Sequence, residues 1–106
     1  YYNVYAADAP GVQSEQIAYS TATSLTGTWT YRGILTGSAK YGFTIHPSVN
    51  LFKGKWYFFY HDGSYMLNGE PGGDCRRQVC VENMKFNKDG TIQPITLTEK
   101  GIAKYK

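Results

Sequence analysis

The sequence predicts an all-β fold of antiparallel four-stranded blades, about two blades of a β-propeller, and two observations carry that prediction. An aromatic strand occurs twice about 55 positions apart, as Tyr1-Tyr2-Asn3-Val4-Tyr5-Ala6-Ala7-Asp8 and as Trp56-Tyr57-Phe58-Phe59-Tyr60-His61-Asp62, a spacing near the length of one blade. Each copy is followed by a turn-rich stretch and further β-rich runs closed by glycine-containing turns. That is the layout of an antiparallel meander.

In the first unit, residues 1–42, the aromatic strand leads to Gln16-Ile17-Ala18-Tyr19-Ser20. After the turn Leu25-Thr26-Gly27-Thr28 comes Trp29-Thr30-Tyr31-Arg32-Gly33-Ile34-Leu35. The second unit, residues 43–106, opens with an additional strand, His46-Pro47-Ser48-Val49-Asn50-Leu51-Phe52. Lys53-Gly54 joins it to the aromatic strand, Gln78-Val79-Cys80-Val81-Glu82 follows, and Thr91-Ile92-Gln93-Pro94-Ile95-Thr96-Leu97 is expected as the closing strand after Asn87-Lys88-Asp89-Gly90. If blades have four strands, the first unit is incomplete. Its innermost strand is expected before Tyr1.

Composition narrows the class of protein. The chain has 106 residues with Gly 12 and Tyr 10, suiting short aromatic strands between tight turns. No apolar run approaches the roughly 20 residues of a membrane-spanning helix. The net charge of +3 comes from scattered Lys and Arg, which argues against a nucleic-acid footprint. Cys80 alternates with Val79 and Val81 inside an expected strand, so a buried free thiol is expected rather than a disulfide or metal pair with Cys75. Tyr1, Trp56, Phe58 and Phe59 are expected to pack between blades.

Five blocks in register carry a resemblance: Ser14-Glu15-Gln16-Ile17-Ala18-Tyr19-Ser20-Thr21, Thr26-Gly27-Thr28-Trp29-Thr30-Tyr31-Arg32-Gly33, Phe43-Thr44-Ile45-His46-Pro47, Lys53-Gly54-Lys55-Trp56-Tyr57-Phe58-Phe59-Tyr60-His61 and Arg76-Arg77-Gln78-Val79-Cys80-Val81-Glu82. Together they resemble the C-terminal part of glycoside hydrolase family 43, over nearly the whole chain. The resemblance implies a five-bladed propeller, arabinose- or xylose-containing plant polysaccharides and their oligosaccharides as substrates, and an extracellular or periplasmic location. It also implies inverting hydrolysis by an Asp base, a second Asp and a Glu acid carried by earlier blades. No catalytic residue is therefore expected here, and the chain alone is expected to be inactive. A non-catalytic carbohydrate-binding or structural module derived from such an enzyme is the alternative.

Two site residues follow from the resemblance. His46 matches the channel-facing histidine that helps hold calcium in an intact propeller, although Ile45 stands where relatives usually carry Asn. Arg77 matches the arginine that reaches the sugar pocket, while Arg76 is expected on the opposite face by strand alternation. Glu15 is expected to be a solvated blade-edge residue. Asp8, Asp62, Asp74 and Asp89 are expected at turns or strand ends, bonding their own backbone. The partners implied are an oligosaccharide and either the missing N-terminal blades or further copies of the chain.

Overall fold

A computed structural model describes residues 1–104; the last two residues of the expected second unit lie outside the described residues. Among the described residues six strands form two sheets. The first sheet has β1 (Tyr2–Ala7), β2 (Gln16–Thr21) and β3 (Thr30–Thr36); the second has β4 (Ser48–Phe52), β5 (Lys55–Asp62) and β6 (Gln78–Met84). Both are antiparallel meanders in sequence order. β4 and β5 meet at Lys53-Gly54, with φ of 47° and 78°. Two consecutive positive φ values turn the chain with the twist of the flanking strands, so Phe52 pairs with Lys55 and Ser48 with Phe59.

Alternation along each strand sorts side chains between two faces. Phe58 and Tyr60 of β5 project to one side, where they cluster with Ile17 and Tyr19 of β2, Leu35 of β3, and Ile45. Val4 and Ala6 of β1 pack against the same cluster. Phe58, Ile17 and Ile45 are fully buried, so the core is the seam between the two sheets. Phe58 thus packs between the two sheets, whereas Tyr57 and Phe59 alternate to the other side of the second sheet. Tyr1 is exposed, at 60 %, because it precedes β1 and faces no second layer among the described residues.

The closing strand expected at 91–97 does not form. Ile92 makes a single antiparallel bridge with Phe86, and the Gln93 amide bonds the Lys85 carbonyl. Pro94 then supplies no N–H to continue a ladder. Instead Ile95 donates its amide to Leu35 O at 2.8 Å, and the Ile92 amide donates to Tyr19 Oη at 3.0 Å. The segment therefore plugs the seam, with Ile92 and Ile95 buried, rather than extending the second sheet.

Beyond it the chain is fastened by the buried Glu82 carboxylate. Oε1 accepts hydrogen bonds from the Thr98 amide and hydroxyl, at 2.6 and 2.7 Å. Charge-assisted bonds of this kind offset the cost of burying the carboxylate.

Candidate functional site

In two antiparallel meanders the ends of odd-numbered strands and the starts of even-numbered ones share one end of the molecule. Three loops lie there: 8–15, the inter-sheet linker 37–47, and 63–77. They are laced together by backbone bonds, Glu15 N to Phe43 O at 2.8 Å, Gly63 N to Lys40 O at 2.9 Å and Gly72 N to Gly63 O at 2.7 Å. A Cβ on Gly63 would sit 2.1 Å from Tyr41 O. Only glycine allows that approach.

His46 ends the linker, and His61 stands near the end of β5. Their rings meet edge to face, with centroids 4.8 Å apart. His46 is well exposed, and its Nε2 lies 3.8 Å from Glu15 Oε2. The same Glu15 oxygen accepts the Ile45 amide at 3.0 Å. Glu15 is thus not the solvated edge residue expected from sequence: it reaches across the seam and anchors the backbone beside His46. Ile45, where the resemblance implied an Asn, is fully buried in the core, so apolar packing fills the position.

His61 holds its proton less tightly than an ordinary imidazole. Burial is the main cause, followed by the positive charges of His46 and Arg77, with Glu15 and Asp62 opposing. Its Nε2 is buried with no hydrogen-bond partner among the described residues. Asp62 behaves as its strand-end position suggests: it accepts bonds from the Ser64 amide at 3.0 Å and the Ser64 hydroxyl at 2.8 Å, and also one from the Gln78 side chain.

The two arginines differ, though not through strand alternation. β6 begins at Gln78, so both precede the strand. Arg76 donates to the carbonyls of Tyr65 and Glu70, at 3.3 and 2.8 Å, and so holds the hairpin formed by the Leu67–Glu70 bridge. Arg77 is exposed and close enough to influence His61.

Calcium takes six to eight oxygen ligands. Among the described residues no group of three or more His, Cys, Asp and Glu side chains is placed to hold a metal. Near His46 the carboxylate of Glu15 is committed to Ile45. The residues present do not by themselves fit a calcium site. Cys75 and Cys80 are both free thiols, the first exposed and the second half-buried.

Sequence reasoning overlooked His61. The signal was available in the two-residue turn at Lys53-Gly54, because stepping outward from the Phe52–Lys55 pair in register brings His46 opposite His61.

No family model matches the chain. It is 32% identical over 76 residues to a xylosidase/arabinosidase of Bacteroides ovatus, covering 72% of this chain and 22% of that protein. It is 31% identical over 105 residues to a β-D-galactofuranosidase of Aspergillus niger, covering 96% and 30%. Among solved structures, a family 43 arabinoxylan arabinofuranohydrolase from Bacillus subtilis, in complex with cellotetraose, superposes with a TM-score of 0.79 at 27% identity, over 100% of this chain and 24% of that one. A family 43 β-xylosidase/α-arabinofuranosidase from a compost microbial metagenome, in complex with xylotriose in a calcium-free form, gives 0.68 at 32% identity, over 88% and 29%. The chain spans between a fifth and a third of the length of these proteins. With two three-stranded antiparallel sheets stacked as successive blades, the chain is a family 43-like partial β-propeller that matches the C-terminal part of those proteins.

Proposed function

We propose that the chain is the C-terminal part of a family 43 hydrolase acting on arabinose- or xylose-containing plant polysaccharides, and that it supplies a wall of the sugar site rather than its acid and base. The observation that carries this reading is the convergence of His46, His61 and Arg77 at one loop end, beside two carboxylates already spent on structure. Glu15 is engaged by Ile45 N and Asp62 by Ser64 and Gln78. Inverting hydrolysis needs two carboxyls about 6.5–9.5 Å apart, one protonating the leaving oxygen and one activating water. In this reading further blades bring them.

Arg77 offers a planar fork of donors suited to sugar hydroxyls, and His46 presents an exposed imidazole to the same space. In an intact propeller, calcium would draw at most one ligand from this chain, His46, with oxygens supplied elsewhere. An extracellular or periplasmic setting accords with polysaccharide substrates. The remaining blades, or further copies of the chain, would cover the outer sheet faces, and light scattering of the purified chain reports which: self-association favours copies and a monomer favours blades.

The test is hydrolysis of nitrophenyl α-L-arabinofuranoside and β-D-xyloside by the chain alone and after reconstitution with the remaining blades. We expect no turnover alone and turnover on reconstitution. Arg77→Ala then lowers kcat/KM about tenfold or more, the scale of a lost charged hydrogen bond, whereas Arg76→Ala acts through the 67–70 hairpin on stability. Turnover by the chain alone, or full activity of Arg77→Ala, overturns the reading.

A further inference from the structure

Where Lys40 and Tyr41 of the linker face the segment 98–102, a cleft of about 560 Å³ lies beside β6. This is the size of an ordinary small-molecule site. Neither His46 nor Arg77 lines it. Tyr60 and Asp62, which form part of its wall, project from the face of β5 opposite to His61, so the cleft is separate from the histidine–arginine site.

Its chemistry is mixed. One wall carries the Tyr41 ring, 46% exposed, with Lys40 Nζ 5.2 Å from the ring centroid. Tyr41 holds φ at 54°, a conformation rare for a residue with a bulky side chain. Such outliers persist where surrounding structure enforces them, and they gather at ligand clamps. Here the enforcement is visible in the Gly63–Lys40 bond and the tight approach of Gly63 to Tyr41 O.

The remaining lining offers hydroxyls from Tyr60, Ser64 and Thr98 beside the Asp62 carboxylate; Ser64 and Thr98 already donate to Asp62 and Glu82 and accept from Gln78 and the Gly101 amide, so each keeps one lone pair to accept a ligand hydroxyl proton. The lining charges balance, Lys40 and Lys100 against Asp62 and Glu99. Lys40 pairs with Glu99, and Asp62 Oδ1 is taken by Ser64 and Gln78. An anionic or cationic ligand gains little from such a cleft. A molecule with many neutral hydroxyls and an apolar ring face suits both the aromatic wall and the polar floor.

We propose that this cleft is a second, independent binding site for a neutral sugar residue, with Tyr41 packing against the sugar ring while Ser64, Thr98 and the Lys40–Glu99 pair bond its hydroxyls. The site does not depend on the roles given to His46 and Arg77.

The experiment titrates the 106-residue chain with xylotriose and follows its backbone amide resonances. The expected result is saturable shifts at Tyr41, Ser64 and Thr98. Tyr41→Gly, which suits a positive φ, weakens that binding about tenfold, the scale of a lost aromatic contact, while Arg77→Ala leaves it unchanged. If Tyr41→Gly loses the dispersed spectrum of the folded sheets, the double variant Ser64→Ala with Thr98→Val gives the same readout. The absence of saturable shifts at the three amides overturns the proposal, as does binding that survives the cleft substitutions or disappears in Arg77→Ala.

Discussion

β1 and β5 share an aromatic pattern and differ in what covers them. β5 lies between β4 and β6, and its face bearing Phe58 and Tyr60 presses against the first sheet, leaving those side chains 0 % and 4 % exposed. β1 is an edge strand. Its Val4 and Ala6 turn toward the shared core, so Asn3 and Tyr5 turn the other way, where no second layer is present among the described residues. The residues that repeat in sequence are those that form a strand. Burial is supplied by the neighbouring repeat, which is why one repeat cannot bury its apolar face alone.

The comparison breaks most visibly at Phe58. Phe58→Ala is expected to cost about 3–5 kcal/mol by opening a cavity in the seam, whereas Tyr5→Ala, whose ring is half-buried and whose hydroxyl meets Ser20 Oγ at 3.3 Å, costs well under half as much. Denaturant midpoints of the two variants measure this, and equal losses would mean that β1 is covered as β5 is.

A smaller effect is expected at the far edge of the second sheet. Glu82→Ala removes the acceptor shared by the Thr98 amide and hydroxyl, with a loss of about 1.5–3 kcal/mol and faster amide exchange at Thr98. Unchanged exchange there would show that Glu82 does not fasten the C-terminal segment.

Glu15→Ala sharpens the comparison across the seam. The Ile45 amide loses its carboxylate partner, so its hydrogen exchange should accelerate with a destabilisation of about 1 kcal/mol, while exchange within β1 and β2 is unaffected. Protection retained at Ile45 would assign the linker's order to packing alone.

The smallest effect concerns the thiols. Burial, reinforced by the Asp62 charge, pushes Cys80 up to about 11 from its ordinary 9.0. The folded state therefore keeps its proton where the unfolded chain loses it. This contribution to stability is fully present below pH 9 and is lost as pH rises from 9 through 11. At pH 8 a thiol reagent should label Cys75 in the folded chain and both cysteines only after unfolding; rapid labelling of Cys80 in the folded chain would contradict its burial.

Much of the fold was legible because local chemistry specified it. Lys53-Gly54 set the hairpin and its register, and the aromatic run marked β5, although the adjacent Phe58 and Phe59 were expected to pack alike and alternation sends them to opposite faces. The segment 91–97 was misread because its β-branched residues favour a strand wherever a partner edge accepts one, and only the assembled seam shows that Ile92 and Ile95 have a deeper place to go. At the candidate site, His46 and Arg77 were found through resemblance. His61 could have been found by counting register, but the cross-seam role of Glu15 could not, because residues 15 and 45 meet only when two sheets stack.

The sequence by itself determined the six strands of the two sheets, their turns and the repeat, since these depend on side-chain alternation and on backbone angles set within a few residues. Tertiary structure decided which aromatic faces are buried, where the C-terminal segment runs and which carboxylates are already bonded. Those outcomes depend on contacts between residues far apart in the chain, whose free energy exists only once the two sheets have come together.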